Sequence, residues 1–476
     1  MIDNQPHQVR IVDWEGDDDP NNPLNWPKRT KIINCTLISI MAFLTPLASS
    51  VLAPGVPQLM EEFESSSSIL ASFVVSVYVI GFAAGPLLMA PLSEIYGRRM
   101  VYHVCNLGFV VFAVACAVAP SLGSLIAFRF LGGVFGSAPI TNGSGTIADM
   151  VRPANRAAAM SALIVGPLLG PVVGPIGGGF LAASRGWRWT FWLVTIVAGC
   201  LTVAMLVCLR ESYPPVLLQR KARRLRKQCS RTEKHQCTRS VGDRGLSPRS
   251  HFLRSIIRPL KLLFCSPICS IFALYMAIVY GYLYLMFTSI TTVFQDTYSF
   301  DDGEVGLVFL GLGTGALMGL ALFSATNDRY SRKRAERDGT GHKPEYRLGL
   351  LPIAATCLPA GLFIYGWTTE YIIHWMVPIV SHVLIGVGIV VSLMCVTTYM
   401  IDTFTIYAAS AVAANTVVRS IGGGLLPLVG LRMYEALGLG WGNSLLGFVA
   451  VTMIPIPFLI IRYGAWLRER FVIRDL

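Results

Sequence analysis

Hydrophobic residues in this chain come in runs of about twenty or more, and short polar stretches break them from one end to the other. "IINCTLISIMAFLTPLASSVLA" (32–53) is the first such run and "FWLVTIVAGCLTVAMLVCL" (191–209) the sixth. A helix needs roughly 20 mostly apolar residues to cross a bilayer. That rule marks twelve spans: 31–53, 69–92, 100–119, 124–147, 157–183, 187–209, 266–294, 304–325, 348–366, 371–400, 405–430 and 441–461. Only helices and closed barrels can satisfy their backbone groups in lipid, and these runs are far longer than barrel strands. The pattern therefore predicts an all-α membrane protein.

Composition agrees. Of 476 residues, 53% are hydrophobic and 14% charged, and the mean hydropathy is +0.57; soluble proteins carry about 25% charged residues. The cations orient the spans. If both termini are cytoplasmic, cytoplasmic segments hold 34 of the 39 Lys and Arg residues, counting Lys31 with the first tail. The positive-inside rule favours that topology. The net charge of +12 is then topogenic and not a nucleic-acid footprint. The outer loops carry acids instead, Glu61, Glu62, Asp301 and Asp302.

Several function classes fall away. No G-x-x-x-x-G-K phosphate loop occurs, which argues against a single-chain ATP-driven pump. No metal or nucleophile cluster lies inside the spans, so an enzyme is not expected, nor a metal or other cofactor. "CSPIC" (Cys265, Cys269) has no partner pair, and Cys229 and Cys237 fall in a cytoplasmic loop where disulfides are rare. The acidic start "DWEGDDDP" precedes the first span without an apolar signal segment.

A charged phrase occurs twice. "APLSEIYGRR" (90–99) aligns with "SATNDRYSRK" (324–333), matching Glu94 with Asp328, Tyr96 with Tyr330 and Arg98 with Arg332. A weaker echo relates Asp149, ahead of span 5, to Asp402, ahead of span 11. The chain thus divides into a tail (1–30), a six-helix bundle (31–209), a basic linker (210–265), a second bundle (266–461) and a final tail (462–476). Parallel repeats of this kind build many secondary transporters. In the linker, "YPPVLLQRKARRLRK" and "HFLRSIIRPLKLLF" alternate apolar and basic residues at helical spacing. Such segments suit the inner leaflet and its anionic lipids, or serve simply as positive-inside charge.

With these motifs in order the chain resembles the major facilitator superfamily, in its fungal twelve-span drug:proton antiporter branch. The resemblance rests on "NPLNWPKRTK", "GPLLMAPLSEIYGRR", "RFLGGVFGS", "GPVVGPIGGGFLAASRGWRWTFW", "PEYRL", "AANTVVRSIGGGLLPL" and "LGLGWGNSLLGF". It implies two bundles rocking about a midplane site, protons as energy source, and a plasma-membrane (alternatively vacuolar) protein working as a monomer. Its expected cargo is a drug, toxin or secondary metabolite. A nutrient importer or facilitator of the same fold, or a sensor, is the alternative.

The resemblance also assigns roles. Glu94, Gly97, Arg98 and Arg99, with Asp328 and Arg332 in the second copy, would latch the halves on the cytoplasmic side; Ala90 and Glu94 replace the usual glycine and aspartate. "GPLLGPVVGPIGGG" in span 5 resembles the antiporter motif, with Gly166, Gly170, Gly174 and Gly178 every four residues beside Pro167, Pro171 and Pro175. Glycines on one ridge allow close backbone approach, and prolines bend the helix. Arg129 in span 4 is associated with proton coupling in the family, and an arginine inside a span is a functional candidate by default. No carboxylate falls in the middle of a span, so Asp149 and His382 are further proton candidates. Asn142, Tyr280, Tyr284, Tyr399, Asn415 and Arg419 are candidates for the wall of the substrate cavity.

Overall fold

The computed structural model describes residues 10–16, 18–152, 155–228, 237–240, 248–339 and 343–471. Cys229 and residues 472–476 of the last tail lie outside them. The described chain is built of helices, apart from one short parallel strand pair, Arg10–Val12 with Cys237–Ser240, which joins the first tail to the linker.

Among the described residues, eleven segments are long and apolar enough to cross a membrane. The last of them, Ala408–Arg470, has 63 residues, and at 1.5 Å per residue it would be about 95 Å long if straight, three times a bilayer core. It is not straight: Gly438 takes φ +75°, a conformation open to glycine, and reverses the chain there. The carboxylate of Glu370 caps that turn, accepting from the N–H groups of Leu439 (2.8 Å) and Gly440 (3.1 Å). The described residues therefore make twelve crossings.

Several crossings are broken where the sequence removes backbone donors or inserts glycine. Span 2 runs Ser68–Phe82, passes through a wide turn at Gly85–Met89, and ends as Ala90–Tyr96. Span 4 is Leu122–Gly136 followed by Ala138–Met150, with Pro139 near the joint. Span 5 (Arg156–Arg185) and span 7 (Pro267–Tyr298) are each a single long helix. Span 8 starts as Asp302–Val308 and continues as Leu310–Arg337. Two amphipathic helices, Pro214–Gln228 and Pro248–Cys265, form most of the described part of the linker, with the strand Cys237–Ser240 between them.

Each half buries its own core. In the second half it surrounds span 7, with Phe272, Tyr282, Phe287 and Phe294 enclosed by residues such as Phe309, Leu362 and Ile385. In the first half Ile38, Met41, Tyr78, Phe109 and Met205 pack together. Large apolar side chains also cover the outside, among them Val104, Leu107, Val111, Val207 and Phe448. Extended apolar surface of this kind is a lipid-facing surface.

Candidate functional site

A cavity of about 580 Å³ lies between the halves, large enough for a drug-sized molecule. The first half contributes Pro86, Thr141, Ser144, Pro167 and Pro171; the second contributes Tyr280, Phe287, Met394, Thr397, Asn415 and Arg419. Three of the six residues expected in its wall, Tyr280, Asn415 and Arg419, are there. The other three are a correction. Asn142 is buried inside the first half, where it accepts a hydrogen bond from Ser93 Oγ (3.1 Å). Tyr399 is buried in the second half against Phe272. Tyr284 is fully buried and engages span 1.

Span 5 shapes one wall, and its two motifs face different neighbours. Gly170 and Gly174 bring its backbone against span 1: a Cβ at Gly170 would lie 2.5 Å from the carbonyl of Phe43, and one at Gly174 2.7 Å from that of Leu47. Gly166 meets Phe43, and a Cβ at Gly178 would overlap the carbonyl of Val51. Pro167 and Pro171 turn to the cavity. Beyond the ridge, Gly179 approaches the backbone of Asp302 and Gly306 so closely that a Cβ would overlap it. Gln58 donates to the Asp302 carboxylate at the same end, and Gln295 donates to it at 2.7 Å. These contacts join the two halves at the end opposite the basic loops. Gly179 was not distinguished from its neighbours by sequence spacing.

The halves also meet beside the cavity. Ser49 Oγ and Tyr284 Oη lie 2.9 Å apart, and Ser76 Oγ donates to the carbonyl of Gly424 at 2.9 Å. The "GGG" of span 11 permits this: Gly422 abuts Ala277 of span 7 while Gly424 abuts Ile80 of span 2.

The two intramembrane arginines differ. Arg129 is enclosed (1% exposed), donating through Nη2 to the carbonyls of Ser49 (2.7 Å) and Val75 (3.3 Å), with its guanidinium over the rings of Tyr78 and Phe191. Arg419 lines the cavity, its guanidinium 4.7 Å from the centroid of the Tyr280 ring. His382 lies within the second half against Phe294 and Tyr365, away from the cavity wall, and neither ring nitrogen has a partner among the described residues.

At the basic end the repeated phrase is a junction. Gly97, with φ +98°, ends span 2 and starts span 3 (Arg98–Ala117). The exposed N–H groups of Arg98 and Arg99 donate to the two carboxylate oxygens of Glu211 (2.9 and 3.2 Å). An anion belongs at that spot, because a helix N-terminus presents unpaired N–H groups and a positive dipole end. Glu94, expected in the latch between the halves, lies half-buried on the last turn of span 2, and it is Glu211 that reaches this N-terminus from beyond the end of span 6. The Arg98 side chain meets Asp149 (3.3 Å) and Ser93 Oγ (2.6 Å).

The second copy is built differently. Where the first has Gly97 the second has Ser331, the helix runs on to Arg337, and Arg332 is left exposed. Arg347, from the "PEYRL" turn, takes over and pairs with both Asp328 and Asp402, the latter at 2.9 Å. Its neighbour Glu345 is buried and accepts from Arg468, at the end of span 12, through both oxygens (3.0 and 3.1 Å). Each half thus ties the basic end of its last span to the start of its third. The charges are reversed: an acid on span 6 and a cation on span 12. The motif was visible in sequence, but not its partners.

Comparison with known proteins gives a consistent result. Residues 38–427 match the family described as Major Facilitator Superfamily. The chain is 54% identical to the MFS-type transporter tndD of Aspergillus flavipes over 472 residues, covering 98% of this chain and 86% of the relative. It is 50% identical to the efflux pump radE of Floropilus chiversii over 460 residues, covering 96% and 85%. Among solved structures, a D-xylose–proton symporter superposes with a TM-score of 0.67 at 15% identity, covering 89% of this chain and 97% of the other. A bacterial homologue of the human lysosomal transporter Spinster gives 0.63 at 14%, covering 95% and 100%. At such identities these structures establish the fold alone.

Proposed function

The chain belongs to the Major Facilitator Superfamily, and we propose that it is a proton-coupled antiporter exporting amphipathic organic compounds, drugs or a secondary metabolite, by alternating access. The observation that carries this reading is the cavity between the halves, mostly apolar in its wall, with spans 5 and 8 in backbone contact at the end opposite the basic loops. Similarity to a relative named as an efflux pump supports the outward direction. The bundles 31–209 and 266–461 rock about the cavity, the proton gradient drives the cycle, and no bound cofactor takes part.

Arg129 is the coupling residue in this scheme. It is held by the carbonyl of Ser49, whose hydroxyl faces Tyr284 of the other half, so movement between halves changes its surroundings. Asp149, paired with Arg98, is the protonatable partner at the basic end. That end faces the cytoplasm with both termini, in the plasma membrane. The helix Pro248–Cys265 exposes Leu253, Ile257, Leu260 and Phe264 at helical spacing; this stripe rests on the inner leaflet.

The test uses sealed proteoliposomes with an imposed pH gradient and a panel of amphipathic dyes and metabolites. Gradient-driven movement that collapses with an uncoupler and is lost in Arg129→Ala is expected. Movement indifferent to the gradient would replace antiport by facilitated diffusion.

A further inference from the structure

We propose that the cavity selects organic anions: amphipathic acids whose carboxylate, or equivalent ionised oxygen, sits against Arg419 and Asn415 while the apolar body fills the rest. The proposal rests on the transporter reading above and names its substrate class.

The wall carries a single charged side chain among the described residues, Arg419, and no acid. A guanidinium held inside a membrane protein is costly unless something neutralises or solvates it. For Arg129 that need is met at Nη2 by two backbone carbonyls in an enclosed site, although its Nε, like that of Arg419, has no acceptor among the described residues. Arg419 has no such arrangement. No carboxylate pairs with it among the described residues, and its Nε is buried with no acceptor. Its one close partner among the described residues is the face of Tyr280, which stabilises the cation and leaves the Nη groups at the end of the plane without an acceptor. That end matches the planar geometry of a carboxylate.

Asn415 precedes Arg419 by four residues on span 11 and shares the same wall. It is 3% exposed, and its Oδ1 has no hydrogen-bond donor among the described residues. A buried amide oxygen left unpaired beside an unpaired cation describes a polar site waiting for a ligand. The ligand accepts from Arg419 and donates a hydroxyl or N–H to Asn415. The rest of the wall, including Phe287, Leu312, Ile389, Val390 and Met394, requires an apolar body. A cationic amphiphile would face Arg419 with no acid to offset it.

The experiment uses three probes on one ring system: 3-hydroxy-2-naphthoate, its methyl ester, and 3-(aminomethyl)-2-naphthol. Equilibrium dialysis against the purified full-length protein at pH 7.5 is expected to give at least tenfold tighter binding of the acid than of the ester or the amine. Arg419→Gln is expected to abolish that preference, and Arg419→Lys to retain part of it. An amine bound as tightly as the acid, no measurable binding of the acid, or a preference unchanged in Arg419→Gln would each overturn the proposal. The wild-type comparison needs no variant to fold. Flux of the same probes in proteoliposomes separates the two readings: gradient-driven transport without preference for the acid overturns the anion site and leaves antiport standing. Preferential binding of the acid with gradient-independent flux does the reverse.

Discussion

Ser50 Oγ donates to the carbonyl of Pro171 at 2.9 Å, across the contact between spans 1 and 5. In a regular helix that carbonyl would accept from the N–H of residue 175, but residue 175 is a proline and has none. The hydroxyl of one helix therefore repairs the backbone of another, in a region where water is not available to do so.

Ser50→Ala is expected to destabilise the protein by about 1–3 kcal/mol, the usual cost of a buried acceptor left unpaired. Pro175→Ala restores the missing donor, so adding Ser50→Ala to it should cost much less. Thermal unfolding of the two single variants and the double variant in detergent measures this coupling. Simple additivity would show that the carbonyl finds another partner.

Gly97→Ala is expected to be the most damaging single-methyl change at the basic end. The position has φ +98°, and a Cβ there would overlap the carboxylate of Glu211. Glu211→Ala should cost about 1–3 kcal/mol by uncovering two N–H groups of span 3, and Glu211→Gln less, since an acceptor oxygen remains. The yield of monodisperse protein on size exclusion ranks the three.

The equivalent arginines of the two repeats are expected to exchange importance. Arg98→Ala removes the partner of Asp149 in the first half. In the second half Arg332→Ala should change stability by less than about 0.5 kcal/mol, as exposed positions do. Arg347→Ala leaves Asp328 and Asp402 without their shared cation and should lower the melting temperature clearly. Equal effects of Arg332→Ala and Arg347→Ala would contradict this assignment.

The first tail carries a pH dependence. The N–H of Glu15, with the backbone and side chain of Asn21, holds the Asp19 carboxyl below its usual range, and Lys221 of the linker helix adds to this. A carboxyl whose folded-state pKa is lowered contributes stability that is present above its unfolded value, near pH 4, and is lost as pH falls through the folded value. Docking of the tail on the 214–228 helix should therefore be unchanged between pH 7 and 5 and weaken only in stronger acid. A fluorophore pair on the tail and the helix reads this, and Asp19→Asn should show weakened docking already at pH 7.

The spans, their all-helical character and the glycine ridge of span 5 were legible in the order of residues, because lipid imposes length and periodicity on every crossing. Tyr280, Asn415 and Arg419 could be proposed for the cavity since polar groups inside spans are rare. What only the tertiary structure decided was which polar groups meet. Glu211, Ser49, Ser50, Arg347 and Arg468 are ordinary residues in sequence, and each acquires its role from a partner dozens of positions or more away. The same holds for the second repeat, where serine in place of a positive-φ glycine lets a helix continue and hands the role of Arg332 to Arg347. Sequence determines what each helix can bury; the packing of helices against one another determines which backbone groups and charges are left needing a partner.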